Sequence, residues 1–333
     1  MTAHDFERRY ATLRRMIDRR TAALARRGKP AELNEGCRYV LSGGGKRIRA
    51  VLVLLSCEAV GGKIERALDV GVAVETLHNF TLVHDDIMDG ASSRRGRPTV
   101  HVRWNINTAL LVGDSLMGLA YKSLSRAAAH VNAPLTALLT DGLLEVCEGQ
   151  ALDLEFEQRR NVTVPEYFTM IEKKTGRLLS VAAEMGGLIG GGTARQTRGL
   201  REFGRYLGRA FQLQDDVLDV IADQARFGKP IGGDIVAGKK TFLLLKAAES
   251  ARGKDRALIT KILARHGAVP ASQRTRIITE VTELYQRYGV IAEAKRQVRR
   301  NTTLALAALG ALPRNRATSM LRWLSEALVH RIS

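Results

Sequence analysis

Two acidic pentads, Asp85-Asp86-Ile87-Met88-Asp89 and Asp215-Asp216-Val217-Leu218-Asp219, each lie within an apolar run of helical character. At about 3.6 residues per turn, the first and last Asp of a pentad share one helical face, one turn apart. Each pentad is therefore a small carboxylate claw. The residues around them (Leu82, Val83, Ile87 and Met88; Phe211, Leu213, Val217, Leu218, Val220 and Ile221) are of core-packing type. Carboxylates are costly there: two of them about 4 Å apart repel by roughly 4 kcal/mol at an effective dielectric of about 20. A bound cation relieves that repulsion. An all-oxygen donor set with room for water and phosphate favours Mg2+ and points to chemistry on a diphosphate. One such pentad alone reads equally well as a solvated helix face, but two in apolar surroundings favour the claw.

The rest of the chain fits an all-α fold. Ala, Leu and Arg are abundant, prolines number seven, and aromatic residues make up 5%. Apolar residues recur at three- and four-residue spacing in Leu110 to Leu124 and Gly199 to Ile221, and strand-like alternation is scarce. A length of 333 residues admits two domains. No Pro/Ser-rich linker parts the motifs, however, so a single domain over residues 1–333 is expected. Cys37, Cys57 and Cys147 lack CxxC spacing or a disulfide framework, which suits a reducing compartment. The charged N-terminus has no apolar run after it, and the longest apolar stretches are broken by Glu58 and Glu184. A cytoplasmic chain without a membrane span is the expectation.

A formal charge of +18 raises the question of polyanionic partners. The cations are dispersed, and the Arg-rich stretches from Arg8 to Arg27 and from Arg287 to Arg300 read as solvated helix faces. No zinc-finger, RNA-recognition or helix-turn-helix pattern accompanies them, so nucleic acid is not an expected partner. Weak association with an anionic membrane surface stays open.

Other cations cluster near the claws in sequence. Gly43-Gly44-Gly45-Lys46-Arg47-Ile48-Arg49 sets three glycines before a basic group, where backbone N–H groups and side chains could both reach phosphate. The run reads equally as a plain turn, and without GxxxxGK[ST] spacing it is no nucleotide-triphosphate loop. Arg94-Arg95-Gly96-Arg97-Pro98-Thr99 forms a loop just after the first pentad, and arginine suits phosphate through its planar, permanently charged fork. Lys174-Thr175, Gln212, Lys229 and Lys239 supply further donors, though each lysine alone reads as an ordinary surface lysine.

In this order, GGGKRIR, LVHDDIMD with RRGRPTVH, Gly149-Gln150, Lys174-Thr175, FQLQDDVLD and FGKPIGGDIVAGKKT make a pattern that resembles the trans-isoprenyl diphosphate synthases over nearly the whole chain. The resemblance implies a helical bundle around a central hydrophobic cavity, the two acidic helices facing each other across its mouth, in a homodimer. It implies head-to-tail prenyl transfer, with Asp85, Asp86, Asp89, Asp215, Asp216 and Asp219 holding Mg2+ on an allylic diphosphate. Arg94, Lys174, Thr175, Gln212, Lys229 and Lys239 match allylic-substrate positions. Lys46, Arg49, His78 and Arg95 match those for isopentenyl diphosphate. His84 has no assigned substrate contact, a hydrogen bond to an Asp or a backbone carbonyl explaining it equally well.

The same resemblance makes Phe80, with Thr81 and Leu77, the floor of a product tunnel, although Phe80 also reads simply as core. With no insertion in the first pentad, the pattern is most similar to synthases stopping at geranylgeranyl diphosphate, then farnesyl diphosphate, then medium-length polyprenyl products. Ala50 stands where the family motif usually carries proline, and the C-terminal residues are less basic than in some relatives. A terpene cyclase would carry a mixed Asn/Ser/Glu second metal motif, and a non-catalytic subunit would lack one pentad; neither matches.

Overall fold

The computed structural model describes residues 2–24, 29–221, 232–264 and 269–330. As the spacing predicts, these residues are overwhelmingly helical. The order is α1 (Ala3–Ala22), α2 (Ala31–Leu41), α3 (Ile48–Ala59) and α4 (Ile64–Met88), then strands β1 (Ser93–Arg94) and β2 (Arg97–Pro98). After them come α5 (Val100–Arg103), α6 (Ile106–Leu124), α7 (Ala129–Gln158), α8 (Val164–Ile171), a π-helical turn (Glu172–Gly176), α9 (Arg177–Ile189) and α10 (Ala194–Ile221). The remainder is α11 (Gly233–Ala237), α12 (Phe242–Ser250), α13 (Gly253–Leu263), α14 (Ala271–Arg287), α15 (Val290–Ala308) and α16 (Arg316–His330).

The chain groups into two compact units, neither continuous in sequence. The first is Met1–Leu144, Leu178–Gly204 and Ala308–Leu324; the second is Glu145–Arg177, Arg205–Ala307 and Ser325–Ser333. In the first, α4 is the central rod. Its residues from Val70 to Leu77 are buried on every side, as a helix without a polar face must be. Helices α1, α3 and α6 pack around it. Local signals set the ends: the Asn105 side chain accepts from Thr108 N at 2.8 Å to start α6.

The second unit has its own apolar core. Tyr167, Phe156, Phe242 and Tyr285 are its largest fully buried side chains, joined by Leu243, Leu244 and Leu245 of α12. Helix α8 opens with a capping box in which Thr163 and Glu166 bond each other's backbone N–H groups. That fixed start sends Tyr167 into the core, one ring edge toward Phe168 at 5.7 Å. Among the described residues no helix is long and apolar enough to cross a membrane.

Candidate active site

The first claw closes helix α4. Asp85 and Asp86 lie in its last turn, while Asp89 is the C-cap, its backbone N donating to Asp85 O at 2.8 Å. Asp86 is buried and its Oδ1 accepts from Arg94 Nε at 2.6 Å. Burial pushes its carboxyl up, and Arg94 pulls against that shift. Asp89 is exposed.

Arg94 and Arg95 project from the β1–β2 ribbon, which pairs Ser93 with Pro98 and Arg94 with Arg97. Arg95 Nη1 donates to Gly44 O at 2.6 Å, so the ribbon touches the glycine run. In that run Gly44 and Gly45 adopt φ of 74° and 117°, a turn that only glycine accepts without strain. Lys46 follows and is exposed, its carbonyl held by the Tyr10 hydroxyl.

Arg47 departs from a simple reading of this basic string. It sits in the left-handed region at φ 52° and is only 3% exposed. Its guanidinium turns inward to Asp18 at 2.9 Å, Leu41 O at 2.6 Å and Glu75 at 3.4 Å. Arg49 is held differently: its Nη1 lies 3.0 Å from His78 Nε2. Arginine only donates, so His78 Nε2 accepts and the imidazole is neutral with its proton on Nδ1. Burial, then Arg49 and Arg95, lower the His78 pKa well below the usual value, in keeping with that tautomer. Burial also brings the Arg49 guanidinium down to about 10, still charged at neutral pH.

Leu77 and Phe80 are buried, and Thr81 donates its hydroxyl to His78 O at 2.9 Å. The Phe80 ring meets His84 edge-on at 4.7 Å. His84 in turn lies against α6, its Nε2 3.3 Å from Leu110 O, which is the backbone-carbonyl contact the sequence allowed.

The second claw lies in the last turns of α10 and lines a cavity of about 310 Å³. Asp215, Asp216 and Asp219 share that lining with Lys174, Thr175, Gln212 and Lys239, all named from sequence. It also contains Asp153, Asp234, Tyr167 and Lys240, which sequence reasoning did not single out. Asp234 was legible as the acid of GGDIVAGKKT and Asp153 as the one just after Gly149-Gln150; Tyr167 carried no signal apart from its place in an apolar helix. Lys229 lies outside the described residues.

Asp216 is 4% exposed, and among the described residues its donors are neutral: Tyr167 Oη at 2.6 Å, Gln212 Nε2 at 3.1 Å and Phe242 N at 3.3 Å. Burial, then Asp234, push its carboxyl up to about 7 despite those bonds. Asp219 accepts from Asp234 N at 3.0 Å and is raised to about 6 for the same two reasons.

The π-helical turn aims the opposing cation. Its widened winding places Lys174 Nζ 2.5 Å from Asp153 Oδ2 and Thr175 Oγ1 3.0 Å from Gln212 Oε1. Gly149 makes this possible, since a Cβ there would lie 2.3 Å from Lys174 N. Lys239 approaches Asp234 at 3.9 Å, and Lys240 is buried with Nζ on Glu157 O at 3.1 Å.

The cavity's five carboxylates among the described residues offer oxygen donors of the kind a hard divalent cation takes. Among the described residues no three carboxylate, imidazole or thiolate groups converge into a protein-only cage.

Comparison with known proteins agrees with this chemistry. The family model for polyprenyl synthetase matches residues 30–281. A short chain isoprenyl diphosphate synthase of Methanothermobacter thermautotrophicus is 37% identical over 332 residues, covering 99% of each chain. A geranylgeranyl diphosphate synthase of Methanosarcina mazei is 44% identical over 226 residues, 66% of this chain and 69% of the relative. The crystal structure of a geranylgeranyl pyrophosphate synthetase from Pyrococcus horikoshii superposes with a TM-score of 0.91 at 39% identity, covering 98% of each chain.

Proposed function

We propose, since the chain belongs to the polyprenyl synthetase family, that it condenses isopentenyl diphosphate head to tail with allylic diphosphates in a Mg2+-dependent reaction. The product we infer is a short all-trans prenyl diphosphate, foremost geranylgeranyl diphosphate, the product named for relatives at 39% to 44% identity. Farnesyl diphosphate is the second reading. The observation that carries the proposal is the cavity that Asp215, Asp216, Asp219, Asp153 and Asp234 line together with Lys174 and Lys239: carboxylates suited to a divalent cation, beside cations suited to phosphate.

In this reading Asp85, Asp86 and Asp89, with Asp215, Asp216 and Asp219, are the Mg2+ ligands. Bound Mg2+ supplies Lewis-acid stabilisation of the departing diphosphate. Arg94, Lys174, Thr175, Gln212, Lys229 and Lys239 orient the allylic diphosphate, so that charge developing on its oxygens meets groups already in place. Lys46, Arg49, Arg95 and neutral His78 hold isopentenyl diphosphate, whose double bond attacks the allylic carbon as the C–O bond breaks. The proton then lost from the new allylic centre passes to the released pyrophosphate, so no side-chain base is needed. Apolar walls exclude the water that would capture the cation. Phe80, with Leu77 and Thr81, limits product length.

A second copy of the chain is the proposed cover for the exposed apolar residues Val102, Ile106, Leu110 and Leu111, giving a homodimer. A cytoplasmic setting, where thiols stay reduced, suits the buried thiols Cys37 and Cys57.

The test is incubation of pure protein with Mg2+, isopentenyl diphosphate and, separately, dimethylallyl, geranyl or farnesyl diphosphate, with chromatography of the dephosphorylated products. A twenty-carbon alcohol is expected. No elongated alcohol from any primer rejects the proposal. Phe80→Ala should lengthen the products, and an unchanged distribution would remove Phe80 from the floor role.

A further inference from the structure

Two strands of two residues each cannot hold a ribbon in place by their own pairing. Arg94 and Arg95 nevertheless have defined partners, so something outside the ribbon fixes it. Thr99 Oγ1 closes the ribbon's base on Ala91 O at 2.7 Å, and Tyr39, on helix α2, supports it from outside. Its hydroxyl donates to Pro98 O at 2.7 Å, and its carbonyl accepts from Arg97 Nη1 at 3.3 Å. The Arg97 guanidinium lies over the Tyr39 ring at 3.9 Å and that of Arg103 at 4.5 Å, within cation–π range. Trp104 meets the same ring edge-on at 5.3 Å.

The Tyr39 side chain therefore grips β2 through one hydrogen bond and a stack, its backbone carbonyl adds a second hydrogen bond, and its ring grips the residues just after the ribbon through Arg103 and Trp104. Arg97 is committed to that stack. Of the three arginines in the loop, Arg94 and Arg95 are the two that the prenyl-transfer reading assigns to substrate, and both belong to the ribbon and its turn.

We propose that Tyr39 is a positioning residue for diphosphate binding: by clamping the ribbon on α2 it sets where Arg94 and Arg95 present their guanidinium groups. The proposal rests on the prenyl-transfer reading for its ligand and on the Tyr39 contacts for its geometry. A phenylalanine keeps the ring and its stacks, whereas a leucine removes them.

The experiment measures KM for isopentenyl diphosphate, at saturating farnesyl diphosphate and Mg2+, for the wild type, Tyr39→Phe and Tyr39→Leu. Loss of the ring should raise KM about tenfold with kcat within about twofold, and Tyr39→Phe should stay within about threefold of wild type. Arg97→Gln breaks the same stack from the ribbon side and should raise the same KM, which keeps the test open if Tyr39→Leu does not fold. Wild-type KM in the folded variants overturns the proposal, as does a fall in kcat alone. If the wild type makes no product, the prenyl-transfer reading falls by itself. Calorimetry with inorganic pyrophosphate then decides the clamp: weaker binding by Tyr39→Leu or Arg97→Gln supports it, and equal binding overturns it.

Discussion

In the first unit the acidic pentad finishes a helix, and its buried Asp86 takes a guanidinium from Arg94 at 2.6 Å. In the second the pentad lies near the end of α10, where the donors to Asp216 are a phenol, an amide and a backbone N–H. Neutral donors orient a carboxylate without cancelling its charge. The nearby lysines are engaged elsewhere, Lys174 with Asp153 and Lys239 near Asp234. The buried acid of each pattern thus differs in kind among the described residues: Asp86 is matched by a fixed arginine, and Asp216 by neutral donors.

The largest expected effect tests that difference on both sides. Asp216→Asn should lower kcat by about 10²- to 10³-fold, the cost of removing one preorganised charge contact. At pH 8 without metal it should also raise stability by about 1 kcal/mol or more, because an uncompensated buried charge is gone. Asp86→Asn, whose charge is already paired, should gain clearly less. Equal gains in thermal melts would break the comparison.

Next in size is a pH effect. Asp216 and Asp219 have folded pKa values of about 7 and about 6, above the ordinary carboxylate value of 3.8. Between those limits the folded state holds protons that the unfolded chain has released. Stability from these groups is therefore greatest at low pH and lost as pH rises through about 6 to 7, by a few kcal/mol in total. Melting temperatures in chelator, followed from about pH 5 to 8, should reflect this fall against the other titrations, and Asp216→Asn should flatten it.

Smaller still, Arg94→Ala leaves Asp86 without its partner and should cost about 1–3 kcal/mol in denaturant unfolding. Gly149→Ala drives a Cβ toward the Lys174 backbone and should cost about 1–3 kcal/mol while turning Lys174 from its place.

The helical fold and both claws were legible because their signals are local: helical spacing, and Asp at both ends of one turn. The electrostatic difference was not. It depends on which residues face each claw, and Tyr167 and Phe242 reach Asp216 from positions 49 and 26 residues away in sequence. Arg47 shows the same limit. As one cation among three in GGGKRIR it reads like its neighbours, yet its left-handed backbone turns it into the core, while Lys46 stays exposed. Tyr39 gave no sign at all, since its partners Arg97, Pro98 and Arg103 lie far along the chain.

The most direct test is calorimetric titration of Mg2+ into the protein with inorganic pyrophosphate, at pH 8 and at pH 6. Binding requires deprotonated Asp216 and Asp219, so the account predicts tight uptake at pH 8, weaker uptake with greater proton release at pH 6, and a smaller difference in Asp216→Asn, where Asp219 still titrates. Mg2+ binding that is indifferent both to pH and to Asp216→Asn would contradict it.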